Sequence, residues 1–432
     1  MEGDTKIRDR LRNARAAYRA NISISQLDDA MDLAINGEPT RAGVVVSNET
    51  ALNFSAVFCA VNIIAGSIAS LPLHVYRRVG EGSKEPYRDH SLYDLLHNQP
   101  NSEMTSYVFR EILQQHCLLM GNAYAEIIPD RLGRPAELWP VNPGAVNVRR
   151  DEKNMIVYEI DEGGGEKRLV PAERMFHMPG LGFDGRVGYS VLAKARETFG
   201  LGLAMEEFQA RFYGQGTNIG SVLEHPGRLS PEAHERLVKD LQEKRGGLTQ
   251  AHKSMVLEEG MKFVKTGMPL EDAQFLESRV FQIGEIARWF NLPPHKLKEL
   301  SRATYSNIEQ QQIEFLQDSI RPWAVRWEQH ISWKLLRQGE RRVVFAEFNL
   351  DGLQRGDTKS RMEAYAALRN VGAINADEIR AKENMNPIGD LAGEMYWRPL
   401  NMGDAGEAVV IPEAGEPEEP EGEETDSMRV VK

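Results

Sequence analysis

The 432-residue sequence contains only two cysteines, Cys59 and Cys117, which excludes a disulfide framework and a zinc site built on paired thiolates. Both read as reduced core residues. No G-x-x-x-x-G-K-[ST] phosphate loop and no H-E-x-x-H pair is present, and Ser190 in Gly188-Tyr189-Ser190-Val191-Leu192 lacks the second glycine of a nucleophile elbow. P-loop ATP hydrolysis, zincin chemistry and hydrolase catalysis therefore have no support. The ten histidines are dispersed, and Asp94, Glu111, Glu258 and Glu259 show no spacing that would group them for a two-metal nuclease site. No metal, no cofactor and no enzymatic activity is expected. Long apolar runs are missing too: the longest, Ala56 to Leu73, contains Asn62, Ser67 and Pro72, too polar for a membrane span, and the N-terminus lacks the apolar core of a signal peptide. A soluble protein of a reducing cytoplasm is the expectation.

A broad basic surface is also lacking. The net charge is -12, but residues 404–426 hold ten acidic residues and no basic one, so the remainder sums to about -2. A nearly neutral body argues against gripping DNA over a wide face, while leaving local basic rings open. At 27% charged and 41% hydrophobic, the composition is that of an ordinary multi-domain globular chain.

The chain's organising stretch is Pro269 to Leu336. Apolar side chains at Leu276, Val280, Ile283, Ala287 and Phe290 recur at helical steps. Pro293 and Pro294 stop that helix, because neither supplies a backbone N–H and the first biases Leu292 away from helical geometry. Ser306-Asn307-Ile308-Glu309 reads as a capping box for a second helix, whose stripe runs through Ile313, Leu316, Ile320, Trp323, Trp327 and Ile331. At a rise of about 1.5 Å per residue it should be roughly 45 Å long, with Pro322 as its kink.

Elsewhere, residues 1–48 form an arm with Lys6, Arg8, Arg10, Arg12, Arg15 and Arg19 near its start; a solvated tail and a contact with an anionic partner both fit. Helices are expected over 53–70, 90–97 and 104–120. Strands are expected over 73–77, 123–128, 136–141, 146–149, 156–160 and 167–170, separated by Gly- and Pro-bearing turns and forming an antiparallel meander. Gly180-Leu181-Gly182-Phe183-Asp184-Gly185 matches G-x-G-x-x-G after a short strand at 175–178. Pro179 in the turn and the absence of alternating strands and helices argue against a dinucleotide site. A helix over 188–213 contains Gly200 and Gly202, each costing about 1 kcal/mol relative to alanine, which suggests close neighbours. The stretch 214–267 reads as an insert with strands at 219–223, 255–258 and 262–265 and a helix over 231–245 after a Ser230 cap and Pro231. A strand over 341–348 is followed by helices over 357–369 and 377–385, the second opening on Asn375-Ala376-Asp377-Glu378. Residues 402–432 are Glu/Pro/Gly-rich and cannot bury enough apolar surface to fold alone.

Ile286-Ala287-Arg288-Trp289-Phe290-Asn291-Leu292-Pro293-Pro294-His295, followed by Ala303-Thr304-Tyr305-Ser306-Asn307-Ile308-Glu309-Gln310-Gln311, resembles the signature of portal proteins from long-tailed double-stranded DNA phages. Ile320-Arg321-Pro322-Trp323, Ala60-Val61-Asn62-Ile63-Ile64-Ala65, Leu71-Pro72 and Gly121-Asn122-Ala123-Tyr124 resemble the same family, over roughly residues 50–400. The resemblance implies an α+β, portal-like chain of several regions. These are an N-terminal arm (1–48), a wing with antiparallel strands (49–187), a stem helix (188–213), a small α/β clip (214–268), and a second stem helix (269–291). A tunnel loop (292–305), the long wing helix with its strand (306–349), a helical crown (350–400) and an acidic tail (401–432) follow.

It further implies a homo-oligomeric ring, usually of twelve subunits, at one capsid vertex, through which DNA is packaged and ejected. Expected partners are double-stranded DNA read without sequence preference, the terminase large subunit, the major capsid protein and a head–tail connector, with no membrane. The expected location is the virion, and the host cytoplasm during assembly. On this resemblance His295, Lys296, Lys298 and Arg302 would face DNA, with Lys262, Lys265 and Arg279 as further channel-wall candidates. Glu232, Glu235, Arg236 and Lys239 would lie on the clip helix that meets the motor and later the head-completion proteins. A helical adaptor without a ring, and a DNA-packaging enzyme, are the competing classes.

Overall fold

The computed structural model describes residues 40–80, 82–163, 166–214, 221–224, 227, 230–232, 234–236, 239, 262–265, 272–299, 311–350, 358–383, 385–389 and 391–396. The chain divides into two compact units, residues 1–354 and 355–432. Residues 1–39 of the arm expected over 1–48, the capping box at Ser306, the strand at 255–258 and the tail after 401 lie outside the described residues.

In the first unit α1 (Asn48–Asn53) opens on a reciprocal Ser47–Thr50 capping box, and the extended Phe54 separates it from α2 (Ser55–Ser70). The helix expected over 53–70 is thus α2, with a separate turn ahead of it. Its small residues Ala60 and Ala65 and the larger Val57, Ile64 and Ile68 are buried against α4 (Ser106–Met120), which turns Phe109, Leu113 and Cys117 inward at steps of four. Each large side chain buried there contributes about 2 kcal/mol. Thr105 caps α4, and Gly121, at φ 77°, ends it. A shorter helix, α3 (Ser91–His97), precedes it with its Leu92, Leu95 and Leu96 buried. Cys117 is buried as expected, whereas Cys59 is only half-buried; both are free thiols.

The strands form antiparallel sheets. One has the order β11 (Val344–Phe348), β1 (Leu73–Val79), β2 (Ser83–Pro86), with Leu73 paired to Phe348. The expected meander splits in two. In one part β3 (Asn122–Pro129) lies between β4 (Pro135–Val141) and β8 (Met175–Pro179); in the other β5 (Val146–Arg150), β6 (Ile156–Asp161) and β7 (Lys167–Pro171) follow one another. Every residue of β3 is buried. It packs on α4, and its Tyr124 joins a second core of Val141, Tyr158, Ile160, Val170 and Met175 beneath β5–β7. That explains why β3 shows no polar alternation. Its one carboxylate, Glu126, is held bidentately by Arg168 of β7 at 2.9 Å to each oxygen, so the small sheet is tied to the large one through a paired rather than an orphaned charge.

The glycine motif at 180–185 is explained by chain crossing. The Gly180 N–H donates to the Gly121 carbonyl at 2.7 Å and the Tyr189 N–H to the Leu181 carbonyl at 2.7 Å. A Cβ placed on Gly188 would lie 2.0 Å from the Gly121 oxygen, and one on Gly182 2.2 Å from the Val187 oxygen. The motif leaves the edge of an antiparallel sheet, and the next helix begins only at Val191 after a Ser190 cap, so the geometry of a dinucleotide fold is missing. Asn122 fastens the crossing: its Oδ1 accepts from the Gly188 N–H at 2.8 Å and its Nδ2 donates to the Gly188 carbonyl at 3.0 Å. The same Oδ1 accepts from His177 Nε2 at 3.2 Å, leaving His177 Nδ1 to accept from the Tyr158 hydroxyl at 3.1 Å. The His177 ring stacks on Tyr124.

The helix expected over 188–213 is two, α5 (Val191–Lys194) and α6 (Arg196–Gly214), broken at Ala195. Gly200 and Gly202 do face close neighbours: an added Cβ would meet Thr40 at 2.6 Å and Phe54 at 2.7 Å. Helix α7 (Asp272–Trp289) pairs with α6, and β9 (Ser221–Glu224) pairs antiparallel with β10 (Lys262–Lys265) within the insert. In the stretch after Ser230, the described residues 231, 232, 234–236 and 239 are helical. A π-helical turn over Phe315–Ile320 leads into α8 (Arg321–Leu335), which lies against β8 and β11. There Trp327 is buried, and its Nε1 donates to Gln114 Oε1 at 2.9 Å. In the second unit α9 (Thr358–Asn370), α10 (Ala376–Lys382) and α11 (Leu391–Glu394) form a small helical group. The Asn375–Glu378 capping box expected from sequence is present.

Two outcomes are expected. Gly121→Ala puts a methyl 2.1 Å from the Tyr189 oxygen at a positive φ, and should destabilise the first unit by more than about 3 kcal/mol in a denaturant titration. Burial lowers the pKa of His177 to about 3, helped by the Lys334 charge. The unfolded chain therefore takes up a proton that the folded one refuses, and stability, full above the ordinary pKa, should fall by about 1.4 kcal/mol per pH unit from this site as the pH drops below 6.5. Urea midpoints across pH 4–7 in His177→Asn should show a shallower slope.

A pinned loop carrying basic residues

Helix α7 ends where its last carbonyls are met by a tight turn: the Leu292 N–H reaches the Ala287 oxygen at 2.8 Å and Asn291 adopts φ 51°. Asparagine tolerates the left-handed region better than other non-glycine residues. Pro293 then holds the chain extended, Pro294–Leu297 form a 3₁₀ turn, and Lys298 at φ 64° closes it with its N–H on the His295 carbonyl at 3.0 Å. Leu292 and Leu297 are buried and anchor the turn from both ends.

Pro322 sets the other side. Lacking an N–H, it cannot bond the carbonyl four residues back, that of Asp318. The helix widens into the π turn, with the Arg321 N–H bonding the Leu316 oxygen. The freed Asp318 oxygen accepts from Asn291 Nδ2 at 2.9 Å, and Ser319 Oγ donates back to the Asn291 oxygen. The end of α7 and the π turn ahead of α8 are joined by this reciprocal pair. The kink expected at Pro322 is therefore a π turn just ahead of it.

The basic residues expected to meet DNA divide by environment. Lys298 is exposed. Lys296 folds back on the segment ahead of α8: Nζ donates to Gln312 Oε1 and stands 4.3 Å from the centre of the Phe315 ring. Burial, then the nearby Lys298 charge, lowers its pKa. His295 is half-buried with its pKa lowered by burial and by Lys296, which favours the neutral ring. Arg302 lies outside the described residues. Arg279 of α7 spans to α6, with Nη1 on Gln209 Oε1 at 2.7 Å and Nη2 on Glu206 Oε1 at 3.0 Å. Lys262 is exposed on β10, opposite Glu224, and Lys265 pairs in register with Ser221. Glu232, Glu235, Arg236 and Lys239 are exposed.

Sequence periodicity missed the pins themselves, Asn291, Asp318 and Ser319, and misjudged two stripe positions. Val280 and Ile313 are exposed, and the buried face of α7 runs through Gln282, Ile286, Ala287 and Phe290. The one available signal was Asn291 before two prolines. Among the described residues no group of His, Cys, Asp or Glu is arranged to hold a metal ion, and no helix is long and apolar enough to cross a membrane.

The first unit thus joins an α+β body to two paired helices, α6 and α7, with a pinned basic loop after the second. The phage portal protein family model matches residues 55–384. The probable portal protein of Streptomyces phage phiC31 is 35% identical over 389 residues, covering 86% of this chain and 83% of that protein. The portal protein of Enterobacteria phage HK97 is 31% identical over 353 residues, covering 80% and 82%. Among solved structures, the neck of a native gene transfer agent particle computed with C12 symmetry aligns with a TM-score of 0.54 at 21% identity, covering 79% of this chain and 94% of that one. The chain belongs to the phage portal protein family, whose members are the conduit for double-stranded DNA at a capsid vertex.

Asn291→Gly keeps the positive φ and removes only the side-chain bond, and should cost about 1 kcal/mol of thermal stability. Asn291→Ala adds backbone strain and should cost about twice that. An unchanged stability in Asn291→Gly would mean that the Asp318 contact contributes nothing.

Proposed function

We propose that about twelve copies of this chain close into a ring at one vertex of the virion, and that the ring's lumen passes DNA inward during packaging and outward at ejection. The observation that carries this reading is the loop 292–299, fixed from both sides by Asn291, Leu292 and Leu297, with Lys298 presented to solvent at a turn that cannot collapse. Repeated around a ring, it makes a collar of shallow positive contacts. Shallowness matters because each neutralised phosphate adds affinity through counterion release, and a deep well would stall a strand that must slide. The nearly neutral body supports the same reading.

On this reading Lys298, with Arg302, makes the DNA contact. Lys296 and His295 shape the loop and add a weaker field. The stretch 1–48 is the arm, 49–187 and 306–349 the wing, 188–213 and 269–291 the stem, 214–268 the clip, 350–400 the crown and 401–432 the tail. Lys262, Lys265 and Arg279 lie along the channel side of clip and stem. Glu232, Glu235, Arg236 and Lys239 offer mixed charge to the terminase large subunit during filling and to a head–tail connector afterwards, while the wing meets the major capsid protein. The protein assembles in the host cytoplasm and carries out no chemistry of its own.

Light scattering on the purified protein should give about 584 kDa, twelve times 48.7 kDa. Replacing Lys296, Lys298 and Arg302 by alanine should leave the rings intact in electron micrographs and lower packaged DNA per particle, with Lys298→Ala alone giving most of the loss. Unchanged packaging by intact triple-mutant rings would remove the loop's role.

A further inference from the structure

A buried amide on α7 lacks what its counterparts elsewhere have. Asn101 and Asn122 bond through both ends of their amides. Gln282 is only 6% exposed, yet its Oε1 is buried and meets no donor among the described residues. An acceptor so placed costs stability unless something donates to it. Arg279, three residues earlier on the same face, is committed elsewhere, with Nη1 on Gln209 and Nη2 on Glu206 of α6. The Gln282 amide lines a cavity between α6, α7 and the start of α2. Gly202 lets α2 come this close, since a Cβ there would lie 2.7 Å from the Phe54 ring. Phe54, Met205 and Ile283 give the cavity apolar walls, while Ser55, Arg279 and Gln282 bring polar groups to it. Phe54 is also the N-cap of α2 and offers no side-chain bond to that helix, so the N–H groups of its first turn need acceptors from elsewhere.

We propose that this cavity binds about two water molecules, which link the Gln282 amide to the first turn of α2. Size sets the number: the cavity offers about 30 Å³ to water centres, and one water takes about 10–15 Å³ on that scale. Chemistry sets the occupant. Gln282 Oε1 needs a donor and the first turn of α2 needs acceptors, and water serves both at nearly the strength of a direct bond. Turned over, the amide would present Nε2 instead, and water would accept from it rather than donate. The Arg279 charge is already paired with Glu206 at 3.0 Å, so the site does not call for an anion. Helix α7 is then tied to the body at two points, at Gln282 through water and at Asn291 through the Asp318 carbonyl. This joint belongs to the single subunit and does not depend on the ring proposed above.

The test uses the full chain. Gln282→Leu and Gln282→Met keep the side chain's approximate size and remove its amide. Both lose the bridge and leave the first turn of α2 without its acceptor, so the thermal midpoint, compared in the same assembly state as the native protein, should fall by about 2–4 °C. In a dry cavity the same changes remove an unpaired acceptor, and the midpoint should hold or rise. The sign of the shift separates the two cases, and a midpoint that holds or rises overturns the proposal. A density map of the native protein that resolves ordered water should show peaks within hydrogen-bond reach of the Gln282 amide and of Ser55, lost in Gln282→Leu. A dry cavity in the native map overturns the proposal whatever the midpoints do, and that map decides if neither variant folds. Crystals soaked in sodium bromide give the remaining outcome: an anomalous peak in the cavity would put an anion in place of water and overturn the proposal as well.

Discussion

The first unit turns on a hydrogen bond that cannot form. Pro322 has no N–H to give the Asp318 carbonyl, so the helix loosens by one residue ahead of α8 and its freed acceptor is taken by Asn291 at the end of α7. A single missing donor thus converts a self-contained helix into one that must bond a distant segment. The Ser319 hydroxyl, returning a bond to the Asn291 carbonyl, makes the link reciprocal and sets where the basic loop starts. With Leu297 buried at the far end, the loop is held at both ends, and the backbone around Lys298 is already ordered.

The body beneath provides stiffness. Small residues on α2 let α4 pack closely, β3 is sandwiched between two cores, and backbone crosses backbone at Gly121, Gly180 and Gly188 with no room for a methyl. Asn122 and His177 satisfy the polar groups buried by that crossing. Unpaired, each would cost about 1–3 kcal/mol. Charge is handled in the same way, since Glu126 enters the core region only with both oxygens on Arg168.

How much of this was legible beforehand followed the range of the interactions. Period-two and period-3.6 patterns placed most strands and helices within two or three residues, and the Asn375–Glu378 cap could be read because both partners lie within one turn. The glycines of α6 announced close neighbours but not which ones; Thr40 and Phe54 are far away in sequence. The stripe through Val280 failed because α7 is covered on one side by α6 and α2, which periodicity alone cannot orient. Lys296 looked like Lys298 in sequence. Only the fold brings Phe315 and Gln312 beside the first and leaves the second in solvent. The π turn was signalled by its proline, but the partner of its freed carbonyl, Asn291, comes from the end of α7, 27 residues earlier.

The pairing of Leu73 with Phe348 has a consequence for synthesis. The central strand of that sheet leaves the ribosome 275 residues before the edge strand that completes it, an interval of roughly 14–55 s at bacterial elongation rates. Throughout that time α2 lacks α7 and the π turn, and β1 lacks β11. Closure of the first unit is therefore a late event in synthesis, one that waits for residues 344–348.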